Sequence, residues 1–437
     1  MSSSKPFYVV LCLLCTALVA RAEQPNDNRS TDSSQRVDNG YTKEWGGKRF
    51  DEWVKDLKNP DPSYRAAALM ALVYFKQAAD AVPDVLVRLR EDHDASPRVK
   101  AAMVLRMIPH HDTDRTRIIL GLARAFSHDP QSIIRYEAVK SLQAFCPLHF
   151  ESEKERDALK DLVDGLKSTS TYEIRDACIF TLILAGVDPK NGPDPKVTDA
   201  LIWHANFNNE PTTQVRLKAI MALGAQGRPL DPKRLQNVMN VLKMPSNYQS
   251  RQPTVRIWSH VAIIALEEKV NKKDLDTIAG YLTNREAAIR EQAVTALGAL
   301  EDKAQGYVDD ILKLLKREQV PSVKSAAALS LGRMKNTGSR VLEALIRLTE
   351  EKERENIGTV MSACTAFVML GVNTAEVLKA MDKVVEHESL EKYQKDYVRK
   401  MIEDLQNPRK KPVRNVANAP DKGVAPAEAN KQKVNRR

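Results

Sequence analysis

With 437 residues the chain is too long for one compact core, and 5% aromatic content beside many Ala, Leu, Val and charged residues favours an all-helical protein. The formal charge of +10 suggests a nucleic-acid binder, but its placement argues against that. Nine cations against two anions follow Gln406 and Lys5 with Arg21 add +2, leaving about +1 for the body, too little to steer a polyanion.

Residues 1–22 read as a secretory signal peptide: Lys5, the apolar run Phe7–Ala20, then the small-x-small site Ala20-Arg21-Ala22. The run is short for a membrane span, and no later stretch has 18 apolar residues in a row. The expectation is an exported protein, periplasmic or secreted, with no transmembrane segment after cleavage. Bulky Leu14 disfavours a lipid on Cys15. Cys146, Cys178 and Cys364 then remain, an odd number without CxxC spacing, which indicates neither a disulfide framework nor a zinc site. Each sits in an apolar helical pattern as a small hydrophobe, with a Cys146–Cys178 bridge between adjacent repeats as the alternative.

Residues 23–45 are polar, lack hydrophobic periodicity and read as a flexible leader. Structure should begin at Gly46-Gly47, with Phe50, Trp53, Val54 and Leu57 at helical spacing. Asn59-Pro60-Asp61-Pro62 stops that helix and caps the next, because Pro supplies no amide and Asp accepts the orphan ones. The second helix carries a unit that recurs along the chain. Its cation falls at Arg65, Lys100, Arg135, Arg175, Arg216, Arg256, Arg290 and Lys324, in steps of 35, 35, 40, 41, 40, 34 and 34. An apolar residue precedes each cation, a mostly small residue follows three places on, and Leu, Ile or Met follows at seven. Four aligned columns over eight copies define an internal repeat.

Between the copies run partner helices, among them Val82–Arg90, Arg115–Ser127, Arg156–Lys167, Lys196–Asn206 and Pro232–Leu242. Each repeat is thus an antiparallel helix pair whose apolar stripe is buried by stacking on the next pair. Polar segments at Asp188–Pro195, Gly227–Asp231 and Met244–Pro253 should be longer loops or turns between the helices of the middle repeats. A ninth pair has Ser362–Leu370 as its second helix, with Ala363 where the cation belongs. The solenoid spans 46–373, closing helices fill 374–406, and 407–437 reads as a disordered basic tail.

The Asp-Pro turns (Asp61-Pro62, Asp129-Pro130), the apolar-Arg pair and the downstream Ala and Leu-Gly resemble HEAT repeats, particularly bacterial HEAT-like repeats related to phycobilisome-lyase subunits. The opening Gly46–Leu72 looks like the entry repeat of exported bacterial HEAT-repeat proteins. The resemblance covers roughly 46–405. It implies a right-handed α-solenoid of about nine helix pairs, whose second helices line a concave face used for protein-protein scaffolding. An accessory or lyase-like subunit of an exported enzyme is the alternative. HEAT-repeat deoxyhypusine hydroxylases carry several His-Glu pairs as iron ligands, whereas His387-Glu388 is the one such pair here.

No phosphate loop, nucleophile motif or paired-carboxylate signature stands out, so neither an enzymatic site nor a cofactor is expected. The repeating cations should bond loop carbonyls or a neighbouring acid such as Asp61, Asp94, Asp129 or Glu286, locking adjacent repeats rather than binding anions. His110-His111-Asp112-Thr113-Asp114 has metal-ligand residue types without an established spacing and reads as a solvated turn. His260 stands in an otherwise aliphatic column and reads as a hydrogen-bonded core histidine. The two residues after each cation should lie off the apolar face. Tyr136, Glu137, Asp176, Lys218, Ile257, Trp258, Glu291 and Gln292 are therefore the candidate contacts for a protein or peptide partner. The tail could tether the protein to anionic envelope polymers, and export makes nucleic acid an unfavoured target for it.

Overall fold

The computed structural model describes residues 41–150, 152–168, 171–188, 190–350 and 356–407. The segment read as a signal peptide, most of that read as a polar leader and nearly all of that read as a basic tail lie outside the described residues. The chain enters through a hairpin that sequence periodicity does not reveal. Strands β1 (Glu44–Trp45) and β2 (Lys48–Arg49) pair antiparallel around Gly46 and Gly47, both at positive φ as a two-residue turn demands. The Trp45 ring stacks on Tyr74 at 3.6 Å, covering the open end of the first helix pair.

An all-α solenoid follows. Its first four pairs are α1 (Phe50–Asp56) with α2 (Pro62–Leu72), α3 (Val82–Glu91) with α4 (Ala95–Leu105), α5 (Asp112–His128) with α6 (Ser132–Leu142), and α7 (Glu153–Ser168) with α8 (Tyr172–Ala185). Then come α9 (Pro195–Ala205) with α10 (Thr213–Ala225), and α11 (Pro232–Leu242), a single-turn α12 (Pro245–Tyr248) and α13 (Pro253–Leu266). The more regular end has α14 (Lys272–Gly280) with α15 (Ala287–Ala299), α16 (Val308–Arg317) with α17 (Pro321–Arg333), and α18 (Ser339–Thr349) with α19 (Ile357–Leu370). Helices α20 (Ala375–Val385) and α21 (Lys392–Gln406) close the stack. Within the Met244–Pro253 segment, expected as a longer loop or turn, Pro245–Tyr248 forms the single helical turn α12. Its fully buried Asn247 donates from Nδ2 to Ala205 O and Val241 O, both at 2.9 Å.

One hydrophobic core runs the length of the stack, and consecutive second helices pack on each other along it. The Leu-Gly ending has its physical reason here. A Cβ on Gly298 of α15 would stand 2.7 Å from Ser330 Cα, and one on Gly332 of α17 would stand 2.9 Å from Ala366 Cα. Glycine lets neighbouring helix backbones touch at the seam.

The helix boundaries also correct the repeat register. Arg65, Arg135, Arg175, Arg216, Arg256, Arg290 and Lys324 are each the fourth residue of their helix. In α4 that place belongs to Arg98, not Lys100. The small and aliphatic positions become the buried Ala101 and Leu105, while Met107, assigned to the aliphatic column by sequence, is 46% exposed. In α19 the fourth residue is Val360, and Ala363 is instead the buried small residue three places on.

Candidate functional site

Among the described residues, the fourth-position cations pair most often with a carboxylate standing three residues before the next second helix. Arg65 Nη2 lies 2.7 Å from the buried Asp92, and Arg98 Nε lies 2.8 Å from Asp129. Arg175 holds Glu210 at 2.8 and 3.0 Å, and Arg290 holds Glu318 at 2.7 and 2.8 Å. Each carboxylate also accepts the amide two residues on: Asp94, Gln131, Thr212 and Val320. Arg65, Arg98 and Arg290 spend a further nitrogen on carbonyls of their own loop. Hydrogen bonds from Arg290 outweigh burial and hold the Glu318 carboxyl below its usual range. Burial would raise Asp92, but Arg65 and the Asp94 amide bring it net below its ordinary value. Of the four acids proposed by sequence, Asp94 pairs with Arg65 and Asp129 with Arg98. Asp61 caps α2 through the Ser63 amide, and the backbone carbonyl of Glu286 accepts from the Arg290 amide within the first turn of α15.

The middle seams break this pattern. Arg135 donates to Phe126 O and Gly165 O, both at 2.8 Å. Arg216, 2% exposed, reaches Glu210 O at 3.2 Å and lies 4.9 Å from the Phe207 ring. The Arg256 side chain has no hydrogen-bond or ion-pair partner among the described residues, and its Nε is buried. One turn on, buried His260 takes over the seam: Nδ1 is 2.6 Å from Asp274 Oδ1, which also accepts from Tyr248 at 2.7 Å. Burial keeps this imidazole below its ordinary pKa despite the carboxylate. The core histidine read from sequence is present, with Nε2 left unpartnered.

The second-helix residues expected to meet a partner are largely engaged with one another. Lys218 Nζ lies 2.5 Å from Asp176, Glu137 pairs with Arg106 at 2.9 Å, and Gln292 accepts from Trp258 Nε1 at 2.8 Å. Tyr136 is half-buried against the core, and Glu291 is half-buried. Ile257 and Trp258 do not meet the expected exposure: they are 0% and 2% exposed. The reason is α13, whose residues 257–264 are all buried, whereas the corresponding Glu291 and Gln292 of α15 are half-buried and polar.

Two large aromatic side chains stand in solvent away from the second helices. Trp203 near the end of α9 and Phe207 just after it are 51% and 50% exposed. Trp203 borders a cleft of about 650 Å³ between the first helices α7 and α9, walled by Leu166, Arg175, His204, Asn209 and Pro211. No residue pattern announces it, because Leu-Ile-Trp-His-Ala reads as an apolar turn whose exposure depends on where α7 and α11 stand. Inside the cleft, His204 is 2% exposed and its Nδ1 lies 3.1 Å from Glu210 Oε2, the carboxylate already clamped by Arg175. Burial keeps His204 below its usual pKa, so it stands neutral near pH 7. The carboxylate can only accept, so Nδ1 carries the proton and Nε2 remains an acceptor. Lys167 and Lys196 stand exposed on the rim, and neither ammonium has a partner among the described residues.

Chemistry-bearing groups outside the cleft do not converge. No disulfide joins Cys146, Cys178 or Cys364, and burial pushes the Cys364 thiol up to about 12 and raises Cys178 as well. His111 ends up next to Asp80, 3.1 Å away, while Asp114 turns inward. Among the described residues no three His, Cys, Asp or Glu side chains are placed to hold a metal ion, and no helix is long and apolar enough to cross a membrane.

Residues 275–362 match the family model for HEAT repeats. No curated protein matches the sequence. Among solved structures the chain is similar to Kap95p bound to RanGDP, with 14% identity, a TM-score of 0.43, and 83% of this chain and 52% of that one covered. It is similar to Kap95 in its complex with Nup1, at 13% identity and TM-score 0.45, covering 82% and 51%. The YibA protein of Escherichia coli follows at 15% and 0.32, covering 74% and 92%. The chain spans about half the length of the Kap95 chains it matches.

Proposed function

We propose that this HEAT-repeat solenoid is a non-enzymatic scaffold, exported to the periplasm or cell exterior, that holds a protein partner. The observation that carries this reading is the cleft beside Trp203. It joins an exposed indole, an accessible acceptor and unpartnered cations on a framework otherwise occupied in holding itself together. An exposed Trp at the mouth of a desolvated pocket is the usual form of a binding anchor. The second-helix face is the weaker place for a partner, because Glu137, Asp176, Lys218 and Gln292 would have to leave neighbours they already bond. Export rests on the leader sequence and is checked by mass spectrometry of the mature terminus, expected at Glu23. For the binding role, the tagged full chain is used to capture partners from its native organism. Trp203→Ala should abolish a capture that Tyr136→Ala leaves intact, and the reverse pattern would return the site to the second helices.

A further inference from the structure

Resting on that scaffold reading, we propose that the Trp203 cleft receives an acidic peptide segment carrying an aromatic or branched apolar side chain. The apolar residue lies against the indole, carboxylates meet Lys167 and Lys196, and a peptide N–H donates to His204 Nε2. Three observations converge on this occupant. The rim is asymmetric in charge: Asp199 is already paired with Arg234 at 3.1 Å, and Glu210 is buried and doubly clamped by Arg175. The charges still free to attract a ligand are therefore the two ammonium groups, which select carboxylates. The wall offers a fixed acceptor, because Glu210 settles the His204 tautomer and Trp203 packs edge-on to the imidazole with ring centroids 4.7 Å apart. A backbone amide suits that acceptor, whereas a second carboxylate would face a lone pair. Finally, a cavity of about 650 Å³ with half of an indole in solvent suits one or two side chains rather than a bare ionic chain.

The test uses the full chain at low salt and three fluorescein-labelled peptides followed by anisotropy. They are Asp-Glu-Phe-Glu-Asp-Gly, its amide counterpart Asn-Gln-Phe-Gln-Asn-Gly, and the Phe-less Asp-Glu-Gly-Glu-Asp-Gly. The first should bind saturably, and each of the others about tenfold more weakly or worse. Lys167→Glu with Lys196→Glu, both exposed and remote from the core, should lose about tenfold, as should Trp203→Ala, with helicity unchanged by circular dichroism. No binding of the first peptide overturns the proposal, and so does equal binding of the Phe-less peptide or equal competition by alginate, which would indicate a generic polyanion site. If Trp203→Ala still abolishes partner capture while no acidic peptide binds, the scaffold reading survives and the acidic-peptide assignment falls.

Discussion

Asp92, Asp129, Glu210 and Glu318 are separated by whole repeats, yet each stands three residues before a second helix and accepts from the arginine of the repeat before. Removing one partner strands the other, with Glu318 only 3% exposed at its side chain. Arg290→Ala should therefore destabilise by about 3 kcal/mol in urea unfolding, since an abandoned buried charge keeps its desolvation penalty. Lys100→Ala should fall within about 0.5 kcal/mol, because Arg98 holds the seam. The sequence made a cation column legible but not this register. Val99-Lys100 satisfies an apolar-cation rule better than Pro97-Arg98, and burial of Ala101 and Leu105 decides between them. Asp129 was legible as a neighbouring acid, whereas Asp92, Glu210 and Glu318 escaped notice because pairing across 27 to 35 residues leaves no local signature.

The buried histidines give the residue scale its pH dependence. His204 and His260 both have folded pKa values lowered by burial, so the unfolded chain binds protons more readily. The stability they support is complete above about pH 6.5 and declines as pH falls below it, by at most ~1.4 kcal/mol per unit for each histidine. Urea midpoints should fall between pH 7.5 and 5.5, and His204→Gln with His260→Gln should flatten that fall. The Asp92, Glu210 and Glu318 carboxyls, held below their usual values, add a separate loss nearer pH 4.

At the scale of elements, close helix approach is the controlling feature. Gly298→Ala sets a methyl against the Ser330 backbone and should cost about 1–3 kcal/mol, since α15 and α17 must separate. Gly280→Ala ends α14 with nothing within 4 Å and should be neutral or stabilising by up to ~1 kcal/mol. Thermal unfolding of the two variants checks the contrast. Helix pairing, the closing pair and the partner helices were legible because apolar periodicity over ten or more residues is a strong signal. The entry hairpin and α12 were not. Each is only two to four residues per element, and α12 depends on Asn247 reaching carbonyls of α9 and α11.

For the whole molecule, stacking without long-range closure means that each seam supports its neighbours alone. Arginine-carboxylate pairs fix the first two seams and two later ones, whereas the Arg256 side chain pairs with no carboxylate among the described residues and Tyr248, Asp274 and His260 hold that seam through one another. The exposed tryptophan and its cleft lie on the one middle seam that keeps an arginine-carboxylate pair, Arg175 with Glu210, between the irregular seams of Arg135 and Arg216. The architecture could be read from spacing; the cleft could not, because exposure of Trp203 is a property of how α7, α9 and α11 diverge. Photo-crosslinking in the native organism shows directly where a partner sits, with a benzoyl-phenylalanine in place of Asn209 on the cleft wall or of Glu291 on α15. A partner adduct is expected from position 209 and none from 291. An adduct from 291 alone would contradict the cleft as the partner's site.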